Sequence, residues 1–244
     1  MTEEQIWKAR YYSACDIAHR WFAFFEGQTE EVSRHLDIFT PYVRLVHAGT
    51  HLLAEGKDGM DSWLKSLPYE KGSHFIRRFE FIPGQENEAT VNMDIGYQRV
   101  ESDLTVGGAL SEYRTTLLFG EGEDAFFTFM QKTPVYQNPG KVFRESFSEN
   151  RVHSFIARFF QLMLTARSGA VSTIVSGNAD ENTRQNLPAF LRSADPDGIS
   201  IEETDILAMK STLLLPVDGT ERRLSLELAE EGGRYLVIRH ANWS

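Results

Sequence analysis

The chain is short of the residues that make several protein classes recognisable. Its 244 residues include one cysteine, Cys15, so no internal disulfide can form and a cysteine-built zinc site is excluded. Basic residues are in deficit, 25 against 35 acidic, for a net charge of −10. A chain with that balance repels phosphate backbones, and no dense Lys/Arg stripe interrupts it, so nucleic acid is not expected as a partner. An anionic membrane surface is disfavoured on the same ground. No run approaches the roughly 18 apolar residues a spanning helix needs. The opening MTEEQIWKAR is charged from the start and has no apolar core of a signal peptide. These absences predict a soluble, cytoplasmic protein. Familiar catalytic signatures are missing too. There is no Gly-x-Ser-x-Gly elbow and no dinucleotide fingerprint, and GEGED at 120–124 lacks the Lys-Ser/Thr of a phosphate loop.

What is present is enough apolar material for real cores, 41% of residues hydrophobic and 12% aromatic. Ala14, Ile17, Ala18, Trp21, Phe22 and Phe25 recur at helical spacing, which predicts a helix over Ser13–Phe25 that Gly27 ends. Thr29 can cap a second helix, TEEVSRHLDIF, with Glu30 and Glu31 in its first turn. YVRLVHAG reads as a strand, and DGMDSWLKSL as a third helix stopped near Pro68. Then the period changes to two. HFIRRFEFI, EATVNMDIGYQRV, ALSEYRTTLLF and AFFTFMQKTPV alternate as strands, separated by turn-rich connections. Residues 98–109 form either a lid or an extended hairpin arm. The layout is α+β, helices packed on one face of a mostly antiparallel sheet.

NPGK at 138–141 reads as a linker, after which the pattern restarts with the helix VHSFIARFFQLMLTARS. Arg20-Trp21-Phe22 matches Arg158-Phe159-Phe160 at an offset of 158 − 20 = 138, and Trp63-Leu64-Lys65-Ser66 matches Phe190-Leu191-Arg192-Ser193 at 190 − 63 = 127. The closing hairpins match at 226 − 117 = 109. The same elements recur in the same order, so two domains are expected, 1–140 and 141–244. The shrinking offset removes residues where YVRLVHAG sits, and the polar, turn-like GNADENTRQN occupies that place. The second copy is therefore expected to lack the strand that carries His47.

The aromatic helix AHRWFAFF, the strand VRLVHAG, the turn and helix LLAEGKDGMDSWLKSL and the meander ending TTLLFGEGEDAFFTFMQKTPV together resemble the nuclear transport factor 2-like superfamily, in particular its SnoaL-like, polyketide-cyclase-like enzymes. The resemblance covers about residues 10–137 and rests on element order. It implies a cone: a curved, mostly antiparallel sheet wrapped over helices, present twice here. It also implies an apolar cavity at the open end, suited to a small apolar or aromatic molecule. Catalytic members often place an acid/base residue on or after the first short strand, where this chain has His47.

His47 falls where the alternation of Val43 and Leu45 calls for a third apolar residue. It is a candidate general base, because histidine titrates near neutrality, or else a core histidine bonded to backbone. His51 lies four residues on, but Gly49 and the strand pattern argue against a helix, so no metal site is expected. Tyr113 lies on the more apolar face of its strand and is a candidate donor to a developing oxyanion. Trp21, Phe25, Trp63, Tyr97 and Phe129 are expected in the core or lining the cavity against the ligand, and Arg77, which interrupts the apolar face Phe75, Phe79, Phe81, is expected to stack on a ring, pair with a carboxylate or bind an anionic ligand. Three functions stay open: a cofactor-independent isomerase, cyclase or dehydratase acting by proton transfer; a binding module; and a scaffold resembling the β subunits of ring-hydroxylating oxygenases. The outer sheet face, with Thr90, Asn92, Asp94 and Gln98, is where either the two halves or two chains of a homodimer are expected to meet.

Overall fold

The computed structural model describes residues 1–26, 32–68, 72–137, 140–165, 170–231 and 235–244. The expected helix stop at Gly27, the cap at Thr29 with Glu30 and Glu31, part of NPGK, and the side chain of Phe25 lie outside the described residues. The chain forms two compact units, Ile17–Asn150, and Met1–Asp16 with Arg151–Ser244.

The first unit takes the C-terminal part of helix α1 (Glu3–Glu26), a 3-10 turn at Val32–Ile38, strands β1 (Phe39–His47) and β2 (His51–Glu55), helix α2 (Gly56–Ser66), and four long strands. These are β3 (Gly72–Pro83), β4 (Glu88–Val100), β5 (Val106–Phe119) and β6 (Ala125–Gln137). The six strands form one sheet in the order β2-β1-β6-β5-β4-β3. β1 runs parallel to β6, and every other pair is antiparallel. Trp21, Phe22, Phe39, Leu45, Met93, Ile95, Leu117, Phe127 and Met130 make its core, with Met60 and Leu64 of α2. The sequence predicts helix over TEEVSRHLDIF; of its described residues, Val32–Ile38 form a 3-10 turn and Phe39 begins β1. HLLAE, expected as turn, is β2, because it can pair back onto β1 from Glu55↔Arg44 to His51↔His47.

Two bulges decide which residues face inward. In β3, Ile76 pairs with Ile95 and Arg78 with Asp94, so Arg77 is an extra residue and the alternation slips by one. In β6, Phe127 pairs with Leu117 and Phe129 with Thr116, so Thr128 is the extra residue. The expected face Phe75, Arg77, Phe79, Phe81 is split by the first of these bulges.

The second unit takes the N-terminal part of α1, most of α3 (Phe147–Leu164), a 3-10 turn at Ala170–Ile174, α4 (Glu181–Arg192), and strands β7 (Ser200–Asp205), β8 (Lys210–Val217), β9 (Thr220–Glu231) and β10 (Tyr235–Trp243). Its antiparallel sheet runs β10-β9-β8-β7. GNADENTRQN, expected as turn, opens α4, because the Asp180 carboxylate accepts from the Thr183 N–H at 3.0 Å and caps the helix. Asp218 and Gly219, both with positive φ, close the β8–β9 hairpin in two residues. After the 3-10 turn, Val175 makes a single parallel bridge to Ile238.

The expected class, α+β with curled sheets packed on helices, is what the structure has, and two sheets fit a duplicated arrangement. No described helix is long and apolar enough to cross a membrane.

Candidate functional site

The hydrogen-bonded ladder sets the site. His47 on β1 pairs with Lys132 on β6, Lys132 with Tyr113 on β5, and Tyr113 with Met93 on β4. Directly paired residues share a face. Two residues back along β1 and β6, Leu45 and Met130 are buried, and Thr115, two residues on along β5, is buried as well. The row His47–Lys132–Tyr113 therefore faces the interior. A second row lies four residues along, where His74 on β3 pairs with Tyr97 on β4 and Tyr97 with Ala109 on β5. The Lys132 ammonium bridges the rows, 5.6 Å from the centroid of the Tyr97 ring. The His74 and Tyr97 rings are 4.8 Å apart. Phe22 stacks on His74 at 5.6 Å and meets Tyr113 edge-on at 5.4 Å. Trp63 stacks on Trp21 at 6.4 Å.

Burial tunes these groups. Tyr113 and His74 are sealed, while His47, Tyr97, Lys132 and Trp63 keep partial exposure. Burial pushes the Tyr113 hydroxyl above its ordinary value, so it stays a proton donor. Burial first, and then the charge of Lys132, lowers the His74 imidazole to about 3, so it is neutral near pH 7. Burial also lowers Lys132.

The start of β3 is fixed by a buried polar clamp. Ser146 Oγ and Asn150 Nδ2 both donate to the His74 carbonyl, at 3.0 and 2.7 Å. Ser73 Oγ meets Ser146 Oγ at 2.9 Å. On the next strand, Gln98 Nε2 donates to the Val142 carbonyl at 3.1 Å, and the Arg144 N–H donates to Gln98 Oε1 at 2.9 Å. Satisfied buried networks of this kind hold one geometry.

Of the residues singled out in the sequence, the structure brings His47, Tyr113, Tyr97, Trp21 and Trp63 to the interior of the first unit. Phe129 pairs with Thr116, one ladder position from inward Met130, and so sits on the other face. Arg77, the bulge residue, is exposed and lines an open hollow of about 240 Å³ with Arg78, Asp94 and Glu112. His74 and Lys132 are the site groups that sequence reasoning missed. Lys132 carried a signal, standing two residues after Met130 in an alternating strand. His74 did not, because the Arg77 bulge puts it out of phase with Phe79 and Phe81. Among the described residues, no group of three or more His, Cys, Asp or Glu side chains could hold a metal ion.

No protein-family model matches the chain, and no curated protein matches it. Solved structures do. The chain superposes on LinA with a TM-score of 0.50 at 8% identity, over 59% of this chain and 97% of LinA. The fold is nuclear transport factor 2-like. Other solved structures of this fold match at lower TM-scores. The hexachlorocyclohexane dehydrochlorinase LinA-type3 from Novosphingobium barchaimii LL02 gives 0.49 at 10% identity, over 59% of this chain and 97% of its own. ActVI-ORFA from Streptomyces coelicolor gives 0.44 at 12% identity, over 51% and 96%.

Proposed function

We propose that the first unit is a cofactor-independent isomerase, cyclase or dehydratase that moves a proton on an aromatic or polyketide-like molecule. The observation that carries this reading is the inward row His47–Lys132–Tyr113 on three adjacent strands. It sets a partly exposed imidazole on the same face as a sealed phenol. His47 takes the proton from an enolisable carbon. Tyr113, held protonated by burial, donates to the oxygen where negative charge develops. A donor of this kind is worth more in a dry interior than in water. Trp21, Trp63 and Tyr97 supply flat apolar walls.

The reading is tested by offering the protein a panel of enolisable aromatic ketones in heavy water and following deuterium uptake at the acidic carbon by NMR. His47→Ala is expected to slow uptake of the best substrate about 10²–10⁴-fold. Unchanged uptake in the variant rejects the base.

The second unit is proposed to be a shortened copy of the first without a site. Two ladder features support it. Phe39, directly after its 3-10 turn, pairs parallel with Phe127, and β6 bulges at the next residue, Thr128. Val175, directly after its own 3-10 turn, pairs parallel with Ile238, and β10 bulges at the next residue, Arg239.

A further inference from the structure

We infer that Lys132 is an anion-recognising residue, and that the molecule this site takes carries a carboxylate on a flat aromatic body. The inference rests on the small-molecule reading of the first unit given above and narrows its substrate class.

Lys132 points inward from β6 and is mostly buried, yet it makes no ion pair among the described residues. That is unusual in a chain of net charge −10, where acidic partners are in excess. The exposed lysines Lys65 and Lys210 each have a carboxylate at 2.6–2.7 Å. Every neighbour the ladder and the ring geometry give Lys132 is a neutral or proton-donating group. They are the Tyr97 ring face, the Tyr113 phenol, neutral His74, and His47. A buried ammonium without a counter-ion costs free energy unless it is neutralised or paired. The lateral row supplies a second donor: Tyr113, the ladder partner of Lys132 on β5, carries a hydroxyl that burial keeps protonated. A charge-assisted hydrogen bond is roughly twice as strong as a neutral one. The aromatic body follows from the surroundings, since Tyr97, Trp63 and Trp21 present ring faces and edges.

Calorimetric titration of the full chain at neutral pH separates the possibilities, with 2-naphthoate and 2-naphthamide as probes of equal shape. The carboxylate is expected to bind at least about tenfold more tightly than the amide. Lys132→Met is expected to bring the two to parity, and thermal unfolding of the variant checks that it is folded. The wild-type comparison alone decides if the variant does not fold. Equal affinity for both probes in the wild type overturns the anion assignment and leaves the pocket standing. A preference for naphthoate that survives in Lys132→Met removes Lys132 from the role. Binding of neither probe at millimolar concentration overturns the pocket and the anion assignment together.

Discussion

Laid over one another as the proposed copies, the ladders of the two units hold opposite chemistry. Aligning Phe39↔Phe127 with Val175↔Ile238 puts Tyr113↔Lys132 on Leu224↔Trp243, and Met93 on Leu213. The further row His74↔Tyr97 falls on the isolated bridge Ala194↔Val217. Tyr113, Lys132, His74 and Tyr97 thus each meet an apolar or aromatic counterpart in the second unit. In that alignment one bridge stands where the first unit has the β1–β2 hairpin, and Asp218-Gly219 stands where it has the long β4–β5 arm. The second unit packs Phe155, Phe159, Leu213, Leu215, Leu224, Leu226 and Ile238 into an apolar core. Polar groups cost stability when buried, so a sheet that keeps four of them inside keeps them for a reason other than packing. A sheet with apolar groups at all four aligned positions serves packing.

The largest test of that contrast transplants the lysine. Leu224 is fully buried, flanked on its ladder by Leu213 and Trp243. Leu224→Lys places an amine where nothing polar receives it and is expected to cost about 4 kcal/mol in chemical denaturation. Lys132→Met, in the first unit, is expected to be neutral or slightly stabilising, because a packed apolar residue replaces a buried, unpaired charge. Similar losses from both substitutions would erase the distinction.

A smaller effect separates the two connections. A Cβ on Gly108 would lie 2.1 Å from the Tyr97 carbonyl oxygen and 3.1 Å from Gln98 Cα, both backbone atoms. Gly108→Ala must push β5 away from β4 beside Tyr97, and a loss of about 3 kcal/mol is expected. Gly219, in the equivalent connection of the second unit, has φ +76° and open space around its Cβ. Gly219→Ala meets only the left-handed backbone penalty, about 1 kcal/mol. Thermal unfolding of the pair measures the difference. Equal shifts would mean that the arm does not constrain the site strands.

The strands β3 to β6 were legible because each alternates over many residues, and with them the inward direction of Tyr113 and Tyr97. His47 was legible as an interruption of an apolar phase. The bulges were not, since one extra residue leaves no mark in composition. They alone account for Arg77 and Phe129 being expected inside and for His74 being overlooked. β2 was hidden because HLLAE is too short to show a period, and its pairing with β1 is a tertiary fact. Lys132 was hidden by a good rule, that lysines face water. The correspondence of ladders between the units is also invisible in identities, because the residues that occupy equivalent positions have changed class.

The smallest expected effect concerns acid. Below about 6.5, the ordinary value, the unfolded chain's imidazole at position 74 takes up a proton, whereas the folded one does so only near 3. Between those values the unfolded state binds more protons, so stability falls as pH falls through the window, and no more is lost below it. At pH 5 the loss from this one residue is about 2 kcal/mol. His74→Phe keeps a ring against Phe22 and Tyr97 while removing the titration, and is expected to reduce the drop in urea midpoint between pH 7.5 and pH 5. The counterpart in the second unit, Ala194, cannot titrate. The first unit's response is read through Trp21 and Trp63, both of which lie within Ile17–Asn150. An acid response unchanged by His74→Phe would place the sensitivity elsewhere and leave His74 without its neutral, sealed character.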